Sequence, residues 1–146
     1  MAIGFDLERF VEAQRGAYEQ ALREMEAGAK RSHWMWFIFP QVRGLGSSSM
    51  AQRYAIAGRD EAAAYLQHPV LGGRLREITA AVNRIKGRSL DEVFGYPDDL
   101  KFHSSMTLFA EAEGTDGIVF AQALQTWFGG RRDEATLRML GSRRNE

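Results

Sequence analysis

The most aromatic stretch of the chain is His33-Trp34-Met35-Trp36-Phe37-Ile38-Phe39-Pro40-Gln41, which is followed directly by Val42-Arg43-Gly44-Leu45-Gly46-Ser47-Ser48-Ser49. Two of the three tryptophans and two of the nine phenylalanines fall within it. Proline and glycine bound any regular element here, because Pro40 and Gly44 disfavour continuation of a helix or strand. We therefore predict a short extended or irregular aromatic segment near residues 34–40, about which the fold is organised.

Helical periodicity dominates the remainder of the chain. Leu71, Leu75, Ile78, Val82 and Ile85 form the clearest apolar stripe. The predicted helices cover roughly residues 7–27, 60–66, 69–86, 89–94, 97–113, 118–128 and a short segment around 137–140. The pattern predicts a mainly α protein, one compact domain over residues 1–146 with six or seven helices and frayed ends near 1–4 and 141–146.

The composition restricts the class of partner and the compartment. The 19 basic residues balance 19 acidic ones, which removes the charge excess typical of a nucleic-acid-binding domain. There is no cysteine, and residues 1–6 lack the basic and apolar regions of a signal peptide. No apolar run approaches the roughly 20 residues of a membrane span. We expect a soluble cytoplasmic protein without nucleic-acid or membrane partners.

The aromatic and glycine-rich segment is the first candidate site. Aromatic faces stack on planar ligands, and a glycine turn lets backbone amides approach an anion. No acidic residue occurs between Ala27 and Arg59, a window with five basic residues, which favours an anionic ligand. The alternative is that the aromatics are core anchors and the serines cap a helix. The candidate ligand-binding residues here are Trp34, Trp36, Arg43, Gly44, Gly46 and Ser48.

The second candidate site lies at the start of the helix predicted near 98–109. Asp99 and His103 are spaced i,i+4, where a carboxylate can orient an imidazole for acid–base catalysis. Lys101 and Ser105 are candidate ligand-binding residues on the same helix. The alternative is a helix start with two dipole-favoured acids and an ordinary surface histidine. The three histidines lack metal-ligand spacing, so we expect no metal and no cofactor.

Both candidate sites belong to blocks that resemble a small bacterial domain family of unknown function, some of whose members carry the label "calpastatin". The blocks are His33–Gln41, Gly44–Gly46, Tyr54–Ile56, Glu61–Ala62, Tyr65–Leu66, His68–Pro69, Leu71, Arg74–Leu75, Phe94–Gly95 and Asp99–Phe109. The resemblance implies a single, mostly helical domain and supplies no settled activity. Calpain inhibitors of that name are disordered and poor in aromatics, whereas aromatics make up 11% of this chain, so we reject the label.

Two functional hypotheses follow. In the first, segment 33–49 and helix 98–109 form a pocket for a small planar anionic, nucleotide-like ligand, with metal-independent hydrolase or transferase chemistry as an extension. In the second, the aromatic segment is core, and a helix surface serves a non-catalytic interaction or homo-oligomerisation module. A change in tryptophan fluorescence on ligand binding favours the first hypothesis. A large exposed apolar patch favours the second.

Overall fold

The computed structural model describes residues 4–113 and 118–141. These residues form ten helices, and they contain no strand beyond one isolated parallel bridge between Val42 and Ile56. The mainly α prediction is therefore confirmed. The helices are α1 Glu8–Gln14, α2 Ala17–Ala27, α3 Met35–Ile38, α4 Ser49–Arg53, α5 Arg59–Gln67, α6 Leu71–Asn83, α7 Leu90–Phe94, α8 Asp98–Glu113, α9 Ile118–Phe128 and α10 Glu134–Gly141.

The described helices outnumber the predicted six or seven for two local reasons. Gly16 adopts a left-handed conformation (φ 75°) and divides the predicted helix 7–27 into α1 and α2. The helices α3 and α4 have only four and five residues, too few for a periodic pattern to reveal.

The aromatic segment is a turn of helix where the sequence predicted an extended or irregular one. Ile38 N–H donates to Trp34 O and Phe39 N–H to Met35 O, each at 3.1 Å. The Phe37 carbonyl accepts a hydrogen bond of 2.8 Å from the buried amide of Gln14. Met35, Phe37 and Ile38 are buried and Trp36 is partly buried, so four apolar residues in a row leave no polar face to reveal the helical period.

Helix α8, with 16 residues, is the longest of the described helices. It packs on α5, α7, α9 and α10, and its residues from Ser104 to Phe109 are all buried. The aromatic rings of Phe39 and Phe94 pack against Phe102 at 5.1 and 5.0 Å between centroids. Because α8 carries Lys101 and His103 near its N-terminus, this packing fixes both residues relative to the aromatic segment.

The buried apolar side chains of the described residues, apart from Ala55, form one continuous cluster. Most of the predicted frayed ends, residues 1–4 and 141–146, lie outside the described residues. A single domain over the whole of residues 1–146 stays a prediction. No described helix is both long and apolar enough to cross a membrane.

Candidate functional site

A cleft of about 480 Å³ separates the segment 41–51 from the N-terminal half of α8, and the start of α10 closes one end. This volume is within the range of small-molecule sites. Three chain segments that are distant in sequence therefore meet at one concavity. Its polar side chains are Gln41, Ser47, Ser48, Lys101, His103, Ser104 and Asp133.

The loop side of the cleft is held by short backbone contacts. Arg43 N–H donates to Ile56 O at 2.7 Å, and Ile56 N–H donates to Gln41 O at 2.9 Å. The Ser48 hydroxyl oxygen accepts from Ala51 N–H at 3.1 Å and thereby caps α4. A Cβ at Gly46 would lie 2.7 Å from Ala51 Cβ, so only glycine permits this approach of loop and helix.

Lys101 connects the loop side with α8. Its Nζ lies 5.3 Å from the centre of the Trp36 ring and 3.6 Å from Asp98 Oδ1. The other oxygen of Asp98 forms an ion pair of 2.9 Å with the buried Lys30. Asp98 therefore balances two lysines, and the Lys101 ammonium faces the cleft with its positive charge only partly compensated.

His103 lies at the edge of the same cleft in a fixed orientation. Its ring stacks on Phe128 with 3.8 Å between centroids and 8° between planes. Its Nε2 is 2.8 Å from the Arg131 carbonyl, which only accepts, so Nε2 carries a proton. Nδ1 is then the ring nitrogen that can accept a proton or a ligand hydrogen bond.

Asp99 and His103 are not hydrogen-bonded to each other. Asp99 Oδ1 accepts from Leu100 N–H at 2.9 Å, and the His103 ring turns to the loop before α10. Of this predicted pair, only His103 lines the cleft. The i,i+4 spacing predicts that the two side chains are neighbours on the helix. The His103 ring instead stacks on Phe128 and points away from Asp99.

Asp133 contributes a carboxylate from the third segment. Its Oδ2 accepts hydrogen bonds from Thr136 N–H at 3.0 Å, Thr136 Oγ1 at 2.6 Å and Ser104 Oγ at 3.2 Å. Its backbone N–H donates to Thr107 Oγ1 at 2.9 Å. Oδ1 accepts no hydrogen bond from any residue in the described part of the chain. Oδ2 of Asp133 thus caps the N-terminus of α10, and Oδ1 remains able to accept a hydrogen bond.

Trp34 lies in the core, outside the cleft. Its ring is 1% exposed, and its Nε1–H donates to Glu24 Oε1 at 2.8 Å. Glu24 also accepts from Gln20, from the hydroxyl and N–H of Ser32, and from Arg31 N–H. Burial alone would raise the pKa of Glu24, but these hydrogen bonds outweigh it and lower the pKa to about 2.

The remaining predicted ligand-binding residues have separate surroundings. Arg43 and Gly44 line a neighbouring groove beside Gln52 and do not line the cleft. Ser105 is fully buried, and its hydroxyl has no hydrogen-bond partner among the described residues. The cleft therefore contains Gly46, Ser48, Lys101 and His103 from the predicted set, with Trp36 reaching it through Lys101.

Sequence reasoning missed Gln41 and Asp133. Gln41 lies inside the aromatic and glycine-rich block, but no motif distinguishes it. Asp133 follows the Gly129-Gly130 break and precedes Thr136, a spacing typical of a helix N-cap. This signal indicates a structural cap and does not reveal that the carboxylate faces α8. Within residues 4–113 and 118–141, no group of three metal-ligating side chains could hold a metal ion.

The fold and the cleft define a mainly α protein with a surface cleft lined by both polar and apolar residues. Residues 4–140 match the family described as protein of unknown function (DUF1810), and the chain belongs to that family. It is also similar to the conserved hypothetical protein Rv1873 from Mycobacterium tuberculosis, known from a crystal structure at 1.38 Å. The identity is 54%, the match covers 93% of this chain and 96% of the other, and the TM-score is 0.91. A comparison with curated proteins gave no significant match.

Proposed function

We propose that the protein binds a small anionic ligand in the cleft between segment 41–51 and α8. The observation that carries this proposal is the convergence of polar groups whose hydrogen-bonding capacity the described fold does not use. They are the Gln41 amide, the Ser47 hydroxyl, the Ser48 hydroxyl proton, the Lys101 ammonium, one His103 nitrogen and Asp133 Oδ1. Convergent polar groups in a concavity are typical of ligand sites.

Lys101 is the anion-binding residue of this proposal. The Trp36 ring supports its ammonium from one side, and Asp98 restrains it from another. The hydroxyls of Ser47 and Ser48 line the opposite side of the cleft and can donate to the same ligand group. In this proposal a phosphate or carboxylate binds the Lys101 ammonium and accepts hydrogen bonds from the two serine hydroxyls.

The nucleotide-like character of the ligand is the second part of the proposal. The His103 ring lines the cleft, and its stack on Phe128 holds it at a fixed angle, which favours contact with a planar group. Trp36 supports the cation and is not assigned to stacking on the ligand. A metal-independent hydrolase or transferase would depend on His103, whose Nδ1 is available as a proton acceptor.

The test is a titration of the protein with inorganic phosphate, ribose 5-phosphate and AMP, followed by NMR chemical shifts. We expect shifts that map to the cleft and an affinity for each that falls about tenfold in Lys101→Met. Lys86→Met is the matched control, since Lys86 is exposed and lies outside the cleft. The proposal would be contradicted if the two variants bound these ligands with equal affinity. It would also be contradicted if the wild-type protein bound none of them.

A second comparison of ligands tests whether the site binds a planar group. AMP and ribose 5-phosphate differ by the base, so tighter binding of AMP would support a stacking contact. This preference should weaken in His103→Ala while phosphate binding persists. Equal affinities for the two ligands would contradict the nucleotide-like assignment and leave the anion site intact.

The second candidate function is an interaction or homo-oligomerisation module. Its support is the exposure of two large apolar side chains, Tyr96 at 77% and Leu100 at 52%, of which Leu100 lines the cleft. Sedimentation velocity over a concentration series tests it. A dimer that Leu100→Ser dissociates, and that Val70→Ser does not, would support it, whereas a monomer at every concentration would contradict self-association.

A further inference from the structure

The cleft presents two side chains of opposite charge. Lys101 lines it from α8 and Asp133 lines it from the start of α10. A ligand with anionic groups alone would gain from Lys101 but would be repelled by Asp133. The lining therefore matches a ligand of mixed character better than a purely anionic one.

The hydrogen bonds of Asp133 show which part of its carboxylate a ligand could use. Oδ2 receives donors from Thr136 and Ser104, and these bonds fix the side chain. Oδ1 has no donor among residues 4–113 and 118–141. Asp133 is half-buried, and a carboxylate oxygen held in place beside a cleft can accept hydrogen bonds from a bound O–H or N–H group.

We infer that Asp133 determines specificity, and that the ligand of the cleft is an anion that also carries a hydroxyl or ammonium donor. Lys101 holds the anionic group, and Asp133 Oδ1 accepts from the donor. An anion without such a donor leaves the Asp133 carboxylate without a hydrogen-bond partner in the cleft, and it therefore binds more weakly. This inference rests on the proposed anion site and adds the class of ligand.

The experiment compares matched probes by calorimetry. Propyl phosphate and glycerol 3-phosphate have the same three-carbon chain, and only the second carries hydroxyls. Phosphoethanolamine and ethyl phosphate form the corresponding ammonium pair. We expect the wild-type protein to bind the donor-bearing member of at least one pair about fivefold to tenfold more tightly.

Asp133→Asn keeps an amide oxygen for the cap of α10 and can place N–H groups where Oδ1 stood. We expect the preference to fall within twofold in this variant, while binding of propyl phosphate is kept or strengthened. Asp133→Ser is a second variant that also caps helices, to be used if Asp133→Asn unfolds.

The outcomes separate the two proposals. No preference in the wild-type protein, or a preference that persists in the Asp133 variant that folds, overturns the assignment of Asp133 and leaves the anion site standing. Absence of any binding that depends on Lys101 overturns the anion site itself, and the assignment of Asp133 with it.

Discussion

The ammonium group of Lys101 lies 5.3 Å from the centre of the Trp36 ring, which joins the aromatic segment to helix α8. Lys30 lies in the same way 5.0 Å from the Trp34 ring, and Asp98 forms ion pairs with both lysines. The two tryptophans thus have different roles. Trp34 stabilises a buried lysine, whereas Trp36 supports the lysine that faces the cleft.

Trp36→Leu should weaken phosphate binding about twofold to fivefold, because Lys101 loses the ring that holds its ammonium. Trp34→Phe is the control, and it should change stability without changing the affinity for phosphate. Calorimetric titration with inorganic phosphate measures both. A Trp36→Leu variant that binds phosphate as the wild type does would show that the ring does not position Lys101.

Acid should destabilise the protein through Glu24. The pKa of Glu24 is lowered from 4.5 to about 2 in the folded protein, so the unfolded chain takes up this proton first as the pH falls. The stabilisation is complete above pH 4.5 and is lost as the pH falls towards 2, by about 3 kcal/mol in total.

Urea unfolding at pH 6 and pH 3 measures this effect. Glu24→Gln should be less stable than the wild type at pH 6, and the difference should shrink at pH 3. Glu92 is exposed, and its side chain accepts a hydrogen bond in a capping box. Glu92→Gln keeps an acceptor there, so its difference in stability from the wild type should change much less between pH 6 and pH 3. A constant gap between Glu24→Gln and wild type at both pH values would contradict the assignment.

Gly44→Ala should lower the free energy of unfolding by about 1–2 kcal/mol or more. Gly44 has φ +103°, and a Cβ there would lie 2.9 Å from Met139 Sδ of α10. Gly73→Ala is the opposite case, since its Cβ would enter open space on α6, and it should stabilise by about 0.5–1 kcal/mol. Thermal unfolding of both variants tests the contrast, and shifts of the same sign would contradict it.

Thr107→Val should destabilise the fold by about 1–2 kcal/mol, because a buried hydroxyl that makes two hydrogen bonds is removed. Thr107 Oγ1 donates to the His103 carbonyl at 2.9 Å and accepts from Asp133 N–H at 2.9 Å. Thr126→Val, at an exposed position of α9, should have little effect. Chemical unfolding measures the free energy of unfolding of both variants. If the amide resonance of Asp133 is unchanged in Thr107→Val, Thr107 does not hold Asp133 at the cleft.

The sequence alone determined the class of fold and the main helical stripes. The apolar spacing in Leu71–Asn83 and the capping box at Ser89 are local signals, and the structure has helices at both places. The sequence also identified the two blocks that face the cleft. It failed at Trp34–Phe39, where every apolar side chain except the partly buried Trp36 is buried, so no polar face marks the helical period.

Only the tertiary structure decided which side chains of these blocks meet. Trp34 lies behind the cleft because Glu24 binds its N–H, and His103 faces away from Asp99 because Phe128 stacks on its ring. Asp133 reaches the cleft from the loop before α10, where Thr107 of α8 holds its backbone. Such contacts between distant residues depend on how the helices pack, and spacing along one helix does not encode them.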